Sequence, residues 1–243
     1  MAIIFELNIC STTVVKPALK SSPRVSKFIA YNNVTANNYS FANEALPVSK
    51  IVYSKMQRSL QKHNYKNIGS HLLQRKADKL FPIIEPILKA YGIPNDFKYL
   101  PLVESGLKEG TSPKGARGLW QFMPGTARSY GLKVGKGVDE RLNVKKSTIA
   151  ACRYLRDLHD EFNSWTLAAA AYNNGSIKLA KAINTQSEDN YYRMKLNRET
   201  GAYVYNLIAM KAIIAHPQKY GYNQAYLAYS QPKNFLVNSN NLL

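Results

Sequence analysis

Residues 165–175, Trp-Thr-Leu-Ala-Ala-Ala-Ala-Tyr-Asn-Asn-Gly, decide the class of fold. The first eight of these residues are almost all apolar, and the Asn-Asn-Gly that follows is typical of a helix end. A helix that is apolar on every side must be surrounded by other elements. We therefore predict a central helix over residues 165–172, buried in the core of the domain.

Amphipathic helices are predicted on both sides of this segment, because apolar residues recur there at i, i+3, i+4 and i+7. Pro82 and Pro86 interrupt one of these patterns and predict a kink or a break near Phe81. Ser147 is the expected N-cap of another. No pair of strands with a hairpin signal is found. The pattern predicts an all-α domain whose helices cover residues 73–91, 95–105, 147–162, 165–172 and 199–215.

The chain carries a large positive charge, with 33 Lys and Arg against 15 Asp and Glu, or +18 in 243 residues. Such a charge attracts an anionic partner: nucleic acid, an acidic membrane surface or an anionic wall polymer. A solvated basic face is the alternative. Residues 1–49 are rich in Ser, Asn and basic residues without a periodic pattern, so we predict an N-terminal basic arm before a domain over 50–220.

Cysteine and histidine usage excludes several classes of site. Two cysteines cannot build a disulfide framework or a four-ligand zinc site. One disulfide between Cys10 and Cys152 stays open, but the apolar pattern around Cys152 favours a buried thiol. The four histidines lack metal-ligand spacing, so we expect no metal and no cofactor. The sequence contains no run of about 18 apolar residues, so it predicts no membrane-spanning helix.

Glu104 is the residue on which a catalytic interpretation depends. It ends residues 97–104, Phe-Lys-Tyr-Leu-Pro-Leu-Val-Glu, in which most of its neighbours are apolar. Burial disfavours the charged form of a carboxyl, which then holds its proton near neutral pH. A general acid that breaks a glycosidic bond needs such a proton. The alternative is a surface carboxylate on an amphipathic helix.

Two further segments have the composition of a ligand cleft. Residues 115–124, Gly-Ala-Arg-Gly-Leu-Trp-Gln-Phe-Met-Pro, combine glycines, which allow a ligand close to the backbone, with the amide of Gln121. Tyr172 and Asn173 place a phenol and an amide at the end of the central helix. Trp120 is interpreted as a core residue rather than a ligand contact.

The order and spacing of six segments carry a family resemblance: Glu104-Ser105, Ser112-Pro113, residues 115–124, Asp139-Glu140-Arg141, residues 171–175 and residues 199–204. In this arrangement the chain resembles the soluble lytic transglycosylase (SLT) family, and within it the membrane-bound murein transglycosylase D type. The resemblance covers about residues 72–216, most of the predicted domain.

The resemblance implies a lysozyme-like, goose-type helical fold with a groove for peptidoglycan strands. Enzymes of this family cleave the β-1,4 bond between N-acetylmuramic acid and N-acetylglucosamine and leave a 1,6-anhydro sugar. Glu104 matches the catalytic position, as acid toward the glycosidic oxygen and then as base toward the C6 hydroxyl. The substrate's acetamido oxygen would replace the second carboxylate that most glycosidases need. Asp96 and Glu109, the nearest carboxylates in sequence, match no catalytic position.

By the same resemblance, Tyr172 is expected to hydrogen-bond near Glu104. Met123 and Tyr203 would pack against sugar faces, with core packing as the alternative for Met123. Ser105 would cap or orient the end of the helix that carries the glutamate. The full set of expected substrate-binding residues is Ser105, Ser112, Gln121, Met123, Tyr172, Asn173, Glu199 and Tyr203.

The chain departs from the family pattern at Gly201, where many relatives carry Arg, and at residues 108–110, where Lys-Glu-Gly replaces Asn-Pro. These departures affect the shape of the cleft rather than the reaction class. Three alternatives stay open: a hydrolytic goose-type muramidase or chitinase-like enzyme that uses Glu104 and water, a non-catalytic glycan-binding envelope protein, and a nucleic-acid-binding module. The last is suggested by charge alone, and no nucleic-acid motif supports it.

The resemblance also implies a location in the cell envelope. Residues 1–10 lack a basic start and an apolar core of 7–15 residues, so no export signal is assigned. Residues 221–243 form a predicted tail without a recognisable LysM repeat. Attachment to the wall would then depend on the cleft and on electrostatic contact of the basic N-terminal region with an anionic wall or membrane surface.

Overall fold

The computed structural model describes residues 39–68, 71–105 and 110–223. Three short 3-10 helices (Asn95–Tyr99, Glu140–Leu142 and Pro217–Tyr220) accompany the α-helices of this part of the chain. The all-α class predicted from the sequence is confirmed. The α-helices are α1 (Lys50–His63), α2 (Tyr65–Ile68), α3 (Leu72–Ala90), α4 (Leu100–Glu104), α5 (Pro124–Ser129), α6 (Val144–Phe162), α7 (Trp165–Asn174), α8 (Ser176–Gln186) and α9 (Thr200–Ala215).

Helix α7 lies at the centre of the core, as its sequence predicts. Every residue from Thr166 to Ala171 is buried. Helix α9 packs against α7 and α1, and α6 packs against α7 and α3. The small alanine side chains of α7 let these neighbours approach closely. Gly175, with φ of +83°, ends the helix where the Asn-Asn-Gly signal places the end.

The structure differs from the helix predictions in two details. Of the kink or break predicted near Phe81, the break is wrong, because helix α3 is continuous from Leu72 to Ala90 and contains both prolines. Pro82 and Pro86 lie on its exposed face, where water can satisfy the carbonyls that lose an N–H partner, while the opposite face stays packed in the core. The N-cap of α6 is Asn143, whose side chain accepts from the Lys146 N–H. Ser147 lies inside that helix.

Two short antiparallel hairpins, which the sequence analysis did not predict, accompany the helices. One pairs β1 (Ser40–Phe41) with β2 (Glu44–Ala45), and the other pairs β3 (Val134–Gly135) with β4 (Val138–Asp139). Each strand has two residues, which is too short for an alternating pattern to show in the sequence.

The first hairpin and the segment after it, residues 39–49, were assigned to the N-terminal arm by the sequence analysis, but they pack against the helices. Phe41 is fully buried, and its ring meets that of Phe97 edge-on with centroids 5.0 Å apart. Glu44 accepts hydrogen bonds from the backbone N–H groups of Trp165 and Thr166, at the start of α7. These contacts make residues 39–49 part of the domain. Cys10, the arm before residue 39 and the tail after residue 223 lie outside the described residues.

Candidate active site

Helix α4 positions Glu104 at its last residue. Leu100, Pro101 and Leu102 are buried, and they fix the helix against the core. The Ser105 hydroxyl donates to the Pro101 carbonyl at 2.8 Å. Ser105 therefore closes the end of the helix that carries the glutamate, in line with the orienting role expected of it.

The Glu104 carboxyl has one direct phenolic partner. The Tyr203 hydroxyl, from α9, donates to Glu104 Oε1 at 2.5 Å. Burial raises the pKa of Glu104 to about 7, the Tyr203 hydrogen bond works against that rise, and the nearby charge of Glu199 adds to it. Near neutral pH this carboxyl is therefore divided between its protonated and ionised forms, as an acid that later acts as a base requires.

Tyr172 does not make the hydrogen bond that the sequence analysis expected of it. Its hydroxyl donates to the Trp120 carbonyl at 2.7 Å, and its ring lies 5.2 Å from that of Tyr154. Burial and then the charge of Glu104 raise its pKa well above the ordinary value. Tyr172 thus stands close to Glu104 as a neutral phenol, but it is Tyr203 that contacts the carboxyl.

A polar network joins the end of α7 to the start of α9. Asn173 Nδ2 donates to Glu199 Oε1 at 2.9 Å, and the Thr200 hydroxyl donates to Asn173 Oδ1 at 2.9 Å. The Thr200 N–H donates in turn to Asn197 Oδ1. This network holds the Glu199 carboxylate in place beside Glu104. Asn173 and Glu199 are thus brought together, as the resemblance implies.

The glycine-rich segment is built by contacts with itself and with Arg141. Gly118 has φ of +79°, and an added Cβ would lie 2.0 Å from the Arg141 carbonyl oxygen. Arg141 Nη1 donates to the carbonyls of Gly115 and Phe122, and Asp139 binds the same guanidinium. The glycine at 118 therefore allows a close approach to protein backbone, and not to a ligand as the sequence analysis expected.

Three expected substrate contacts lie on this segment. The Ser112 hydroxyl accepts from the Ala116 N–H at 3.0 Å, and Gln121 Nε2 donates to the Gly118 carbonyl at 2.8 Å. Both side chains therefore stabilise the turn. Met123 is 43% exposed, so core packing, the alternative for it, is excluded. Trp120 is fully buried, as predicted, and donates to the Thr148 hydroxyl.

A cavity of about 760 Å³ opens at Glu104. Asn173, Glu199 and Tyr203 line it with the catalytic candidate. A volume in the range of about 300–1,000 Å³ suits a bound small molecule or part of a polymer. Within the part of the chain that the structure describes, Ser112, Gln121 and Met123 are not among its lining residues.

Four cations on the wall of this cavity were missed by the sequence analysis. Lys55, Arg58 and Lys62 come from α1, and Arg198 precedes α9. The spacing i, i+3, i+7 in residues 55–62 is a helical signal that could have grouped the first three on one face. Their proximity to Glu104 could not be predicted, because it depends on the packing of α1 against α9.

Asp96 and Cys152 do not line the cavity. Asp96 accepts from Lys211 Nζ at 2.7 Å and from the Ala42 N–H, so it holds the first hairpin. Cys152 is buried, and burial raises its pKa to about 12.

No group of three or more His, Cys, Asp or Glu within residues 39–68, 71–105 and 110–223 could hold a metal ion. No helix in the same ranges is long and apolar enough to span a membrane.

The part of the chain that carries Glu104 also matches a known protein domain. Residues 81–195 match the model of the transglycosylase SLT domain. These residues are therefore a transglycosylase SLT domain. The match includes Glu104, the glycine-rich segment and Asn173, whereas Glu199 and Tyr203 follow it in the chain.

Relatives of the SLT domain agree with this assignment. The chain is 31% identical over 182 residues to membrane-bound lytic murein transglycosylase D of Escherichia coli, covering 72% of this chain and 39% of the relative. It is 28% identical over 142 residues to membrane-bound lytic murein transglycosylase F of Cronobacter sakazakii, covering 53% of this chain and 26% of the relative. The chain thus spans well under half the length of these relatives.

Among solved structures, the 70 kDa soluble lytic transglycosylase of Escherichia coli matches with a TM-score of 0.46 and 19% identity. The match covers 86% of this chain and 38% of that protein.

Proposed function

We propose that this chain is a peptidoglycan lytic transglycosylase that cleaves the β-1,4 bond between N-acetylmuramic acid and N-acetylglucosamine. The observation that carries the proposal is the Glu104 carboxyl, with its pKa raised to about 7, in a cavity beside Tyr203 and the Asn173–Glu199 pair. The SLT domain and the names of its relatives supply the class of substrate.

Glu104 would act twice in one reaction. In its protonated form it donates a proton to the glycosidic oxygen, and the bond to the leaving sugar breaks. The resulting carboxylate then accepts the proton of the C6 hydroxyl as that oxygen attacks the anomeric carbon. A pKa near the working pH lets one group fill both roles. The acetamido oxygen of the substrate stabilises the positive centre between the two steps.

The remaining polar residues would hold the strand. Tyr203 orients the Glu104 carboxyl through its hydrogen bond at 2.5 Å. The Asn173–Glu199 pair presents an amide and a carboxylate that suit the hydroxyl and acetamido groups of a sugar. Ser105 acts through the helix end. Ser112, Gln121 and Met123 would support or border the groove at the glycine-rich segment.

Hydrolysis is the second candidate, and Glu199 is the observation that favours it. Glu199 is a second carboxylate in the same cavity, and it is close enough to raise the pKa of Glu104. An inverting glycosidase uses such a second carboxylate as the base that activates water. In a transglycosylase, Glu199 would position the strand and would not be required to generate a nucleophile.

We place the working protein in the cell envelope, because its proposed substrate is there. The basic N-terminal region would add electrostatic contact with an anionic wall or membrane surface. This contact weakens as salt is raised, since exposed charges are screened over about 8 Å at physiological ionic strength.

Mass spectrometry of purified peptidoglycan digested by the protein tests the reaction. We expect products that end in 1,6-anhydro-muramic acid, and none from Glu104→Gln. Reducing muramic ends would move the assignment to a hydrolase, and Glu199→Gln would then abolish activity. Binding of strands without any product from the wild type would leave a glycan-binding protein and overturn the proposal of an enzyme.

A further inference from the structure

One wall of the Glu104 cavity is basic. Lys55, Arg58 and Lys62 lie at i, i+3 and i+7 of α1 and line the cavity together, and Arg198 joins them from the segment before α9. We refer to these four residues as the basic wall. Two carboxyls, Glu104 and Glu199, line the same cavity. The cavity therefore carries an excess of positive charge.

The charges of the basic wall are not neutralised within the fold. None of the four residues forms an ion pair with another residue of the described ranges, whereas six ion pairs are made elsewhere in those ranges. Burial and the charge of Arg58 lower the pKa of Lys55, whose Nζ lies 5.6 Å from the centre of the Tyr205 ring. Cations that line one cavity without an ion-pair partner favour the binding of an anion there.

The basic wall can bind an anion without disabling the catalytic acid. Burial and the charge of Glu199 raise the pKa of Glu104, and the Tyr203 hydrogen bond lowers it. An anion on the wall is a further negative charge in the same cavity, so it would favour the protonated form of Glu104. The cavity thus contains one carboxyl for catalysis, Glu104, and a separate group of cations, the basic wall, that can bind an anion.

All four cations lie outside residues 81–195, which the SLT domain model matches. They are supplied by α1 before the domain and by residue 198 after it. The basic wall is therefore formed by residues outside the matched range, and the packing of α1 against α9 brings three of them to the cavity.

The proposed substrate itself supplies anions. A strand without peptides keeps one carboxylate on the lactyl group of each muramic acid, close to the sugar ring, whereas a stem peptide replaces that carboxylate by an amide and carries its own carboxylates further from the strand. The peptides attached to the lactyl groups of muramic acid end in free carboxylates. We propose that the basic wall binds these stem-peptide carboxylates and gives the protein a preference for peptide-bearing strands. This inference rests on the proposed function, since it takes peptidoglycan as the substrate.

Two soluble substrates of equal length test the preference: strands with stem peptides, and the same strands after an amidase has removed the peptides. Binding affinity and the rate of formation of anhydro-muramic ends are measured on both. The test variant carries Lys55→Gln, Arg58→Gln and Lys62→Gln. The matched control carries Lys145→Gln, Lys178→Gln and Lys181→Gln, which removes the same charge from exposed positions that do not line the cavity.

We expect the wild type and the control to bind peptide-bearing strands about tenfold more tightly than denuded strands, as three partly exposed charge contacts can supply. The test variant should lose most of this difference and keep its affinity for denuded strands. Thermal unfolding of each variant shows that the fold is intact.

Three outcomes would overturn the inference: equal wild-type affinity for both strands, equal loss by the test variant on both strands, or the same loss in the control. Absence of anhydro ends with both substrates would instead contradict the proposed function. The affinities for the two strands would still decide the role of the basic wall.

Discussion

Replacing Tyr203 by Phe removes a single oxygen atom beside the catalytic candidate. Tyr203 is buried, and the phenylalanine ring can keep its packing in α9. The change removes the donor to Glu104 Oε1. This hydrogen bond holds the pKa of Glu104 below the level that burial alone would give it. Removing it should therefore raise the pKa.

The size of the effect follows from the charge on the acceptor. A hydrogen bond to a charged group contributes about 1.5–3 kcal/mol, and water in the cavity can replace part of it. A tenfold change in proton affinity corresponds to about 1.4 kcal/mol. We expect Glu104 to bind its proton about tenfold more tightly in the variant. At pH 8, about half of the variant would be protonated, against about a tenth of the wild type.

Titration by NMR of the ¹³C-labelled Glu104 carboxyl measures this proton affinity directly, without any substrate. The pH profile of kcat/KM on peptidoglycan provides a second measurement, because its alkaline limb reports the acid of the free enzyme. Both should move to higher pH in Tyr203→Phe. Tyr172→Phe is the matched control, because it also removes a buried phenolic oxygen, but one that donates to the Trp120 carbonyl.

The two tyrosines give the result that would refute this reasoning. If Tyr172→Phe shifted the titration and Tyr203→Phe did not, the contact with Glu104 would be the one expected from the sequence resemblance and not the one in the structure. A shift of Tyr203→Phe to lower pH would show that the hydroxyl stabilises the protonated form.

Three further predictions concern stability. The folded state binds the Glu104 proton more tightly than the unfolded chain does, because its pKa is raised to about 7 in the fold. The free energy of unfolding should therefore fall by up to about 3 kcal/mol as pH rises from about 4.5 to about 7. Thermal unfolding followed across this pH range should show the decline in the wild type and not in Glu104→Gln. Gly118→Ala should lower the free energy of unfolding, measured by chemical denaturation, by about 3 kcal/mol or more, because the new Cβ meets the Arg141 backbone at a positive φ. Gly125→Ala, which has open space around its Cβ position, should leave this free energy nearly unchanged. Glu44→Ala should lower the free energy of unfolding by about 1–2 kcal/mol through loss of the cap on α7, and an equal loss in the exposed control Glu161→Ala would show that the cap contributes nothing.

Local patterns were sufficient to predict most of the helices. The apolar run of α7 and the Asn-Asn-Gly after it predict a buried helix and its end, since both depend on neighbours within a few residues. The unbroken course of α3 through Pro82 and Pro86 could not be predicted in this way. It depends on which face of the helix the rest of the chain leaves exposed.

The same distinction holds for the candidate site, where some features follow from the sequence and others depend on tertiary packing. The sequence by itself determined the family resemblance and the choice of Glu104, because residue types at fixed spacing carry that information. It also placed Asn173 and Glu199 in one cleft through the resemblance.

Only the tertiary structure decided which groups act on Glu104. Tyr203, 99 residues away, reaches the carboxyl, and Tyr172, which had been expected there, turns to the Trp120 carbonyl. Three residues of the basic wall likewise come from α1, outside the residues that the SLT domain model matches, and line the cavity because α1 packs on α9. Hydrogen bonds and electrostatic interactions act over a few ångströms in space, and the separation of two residues along the chain does not determine their separation in space.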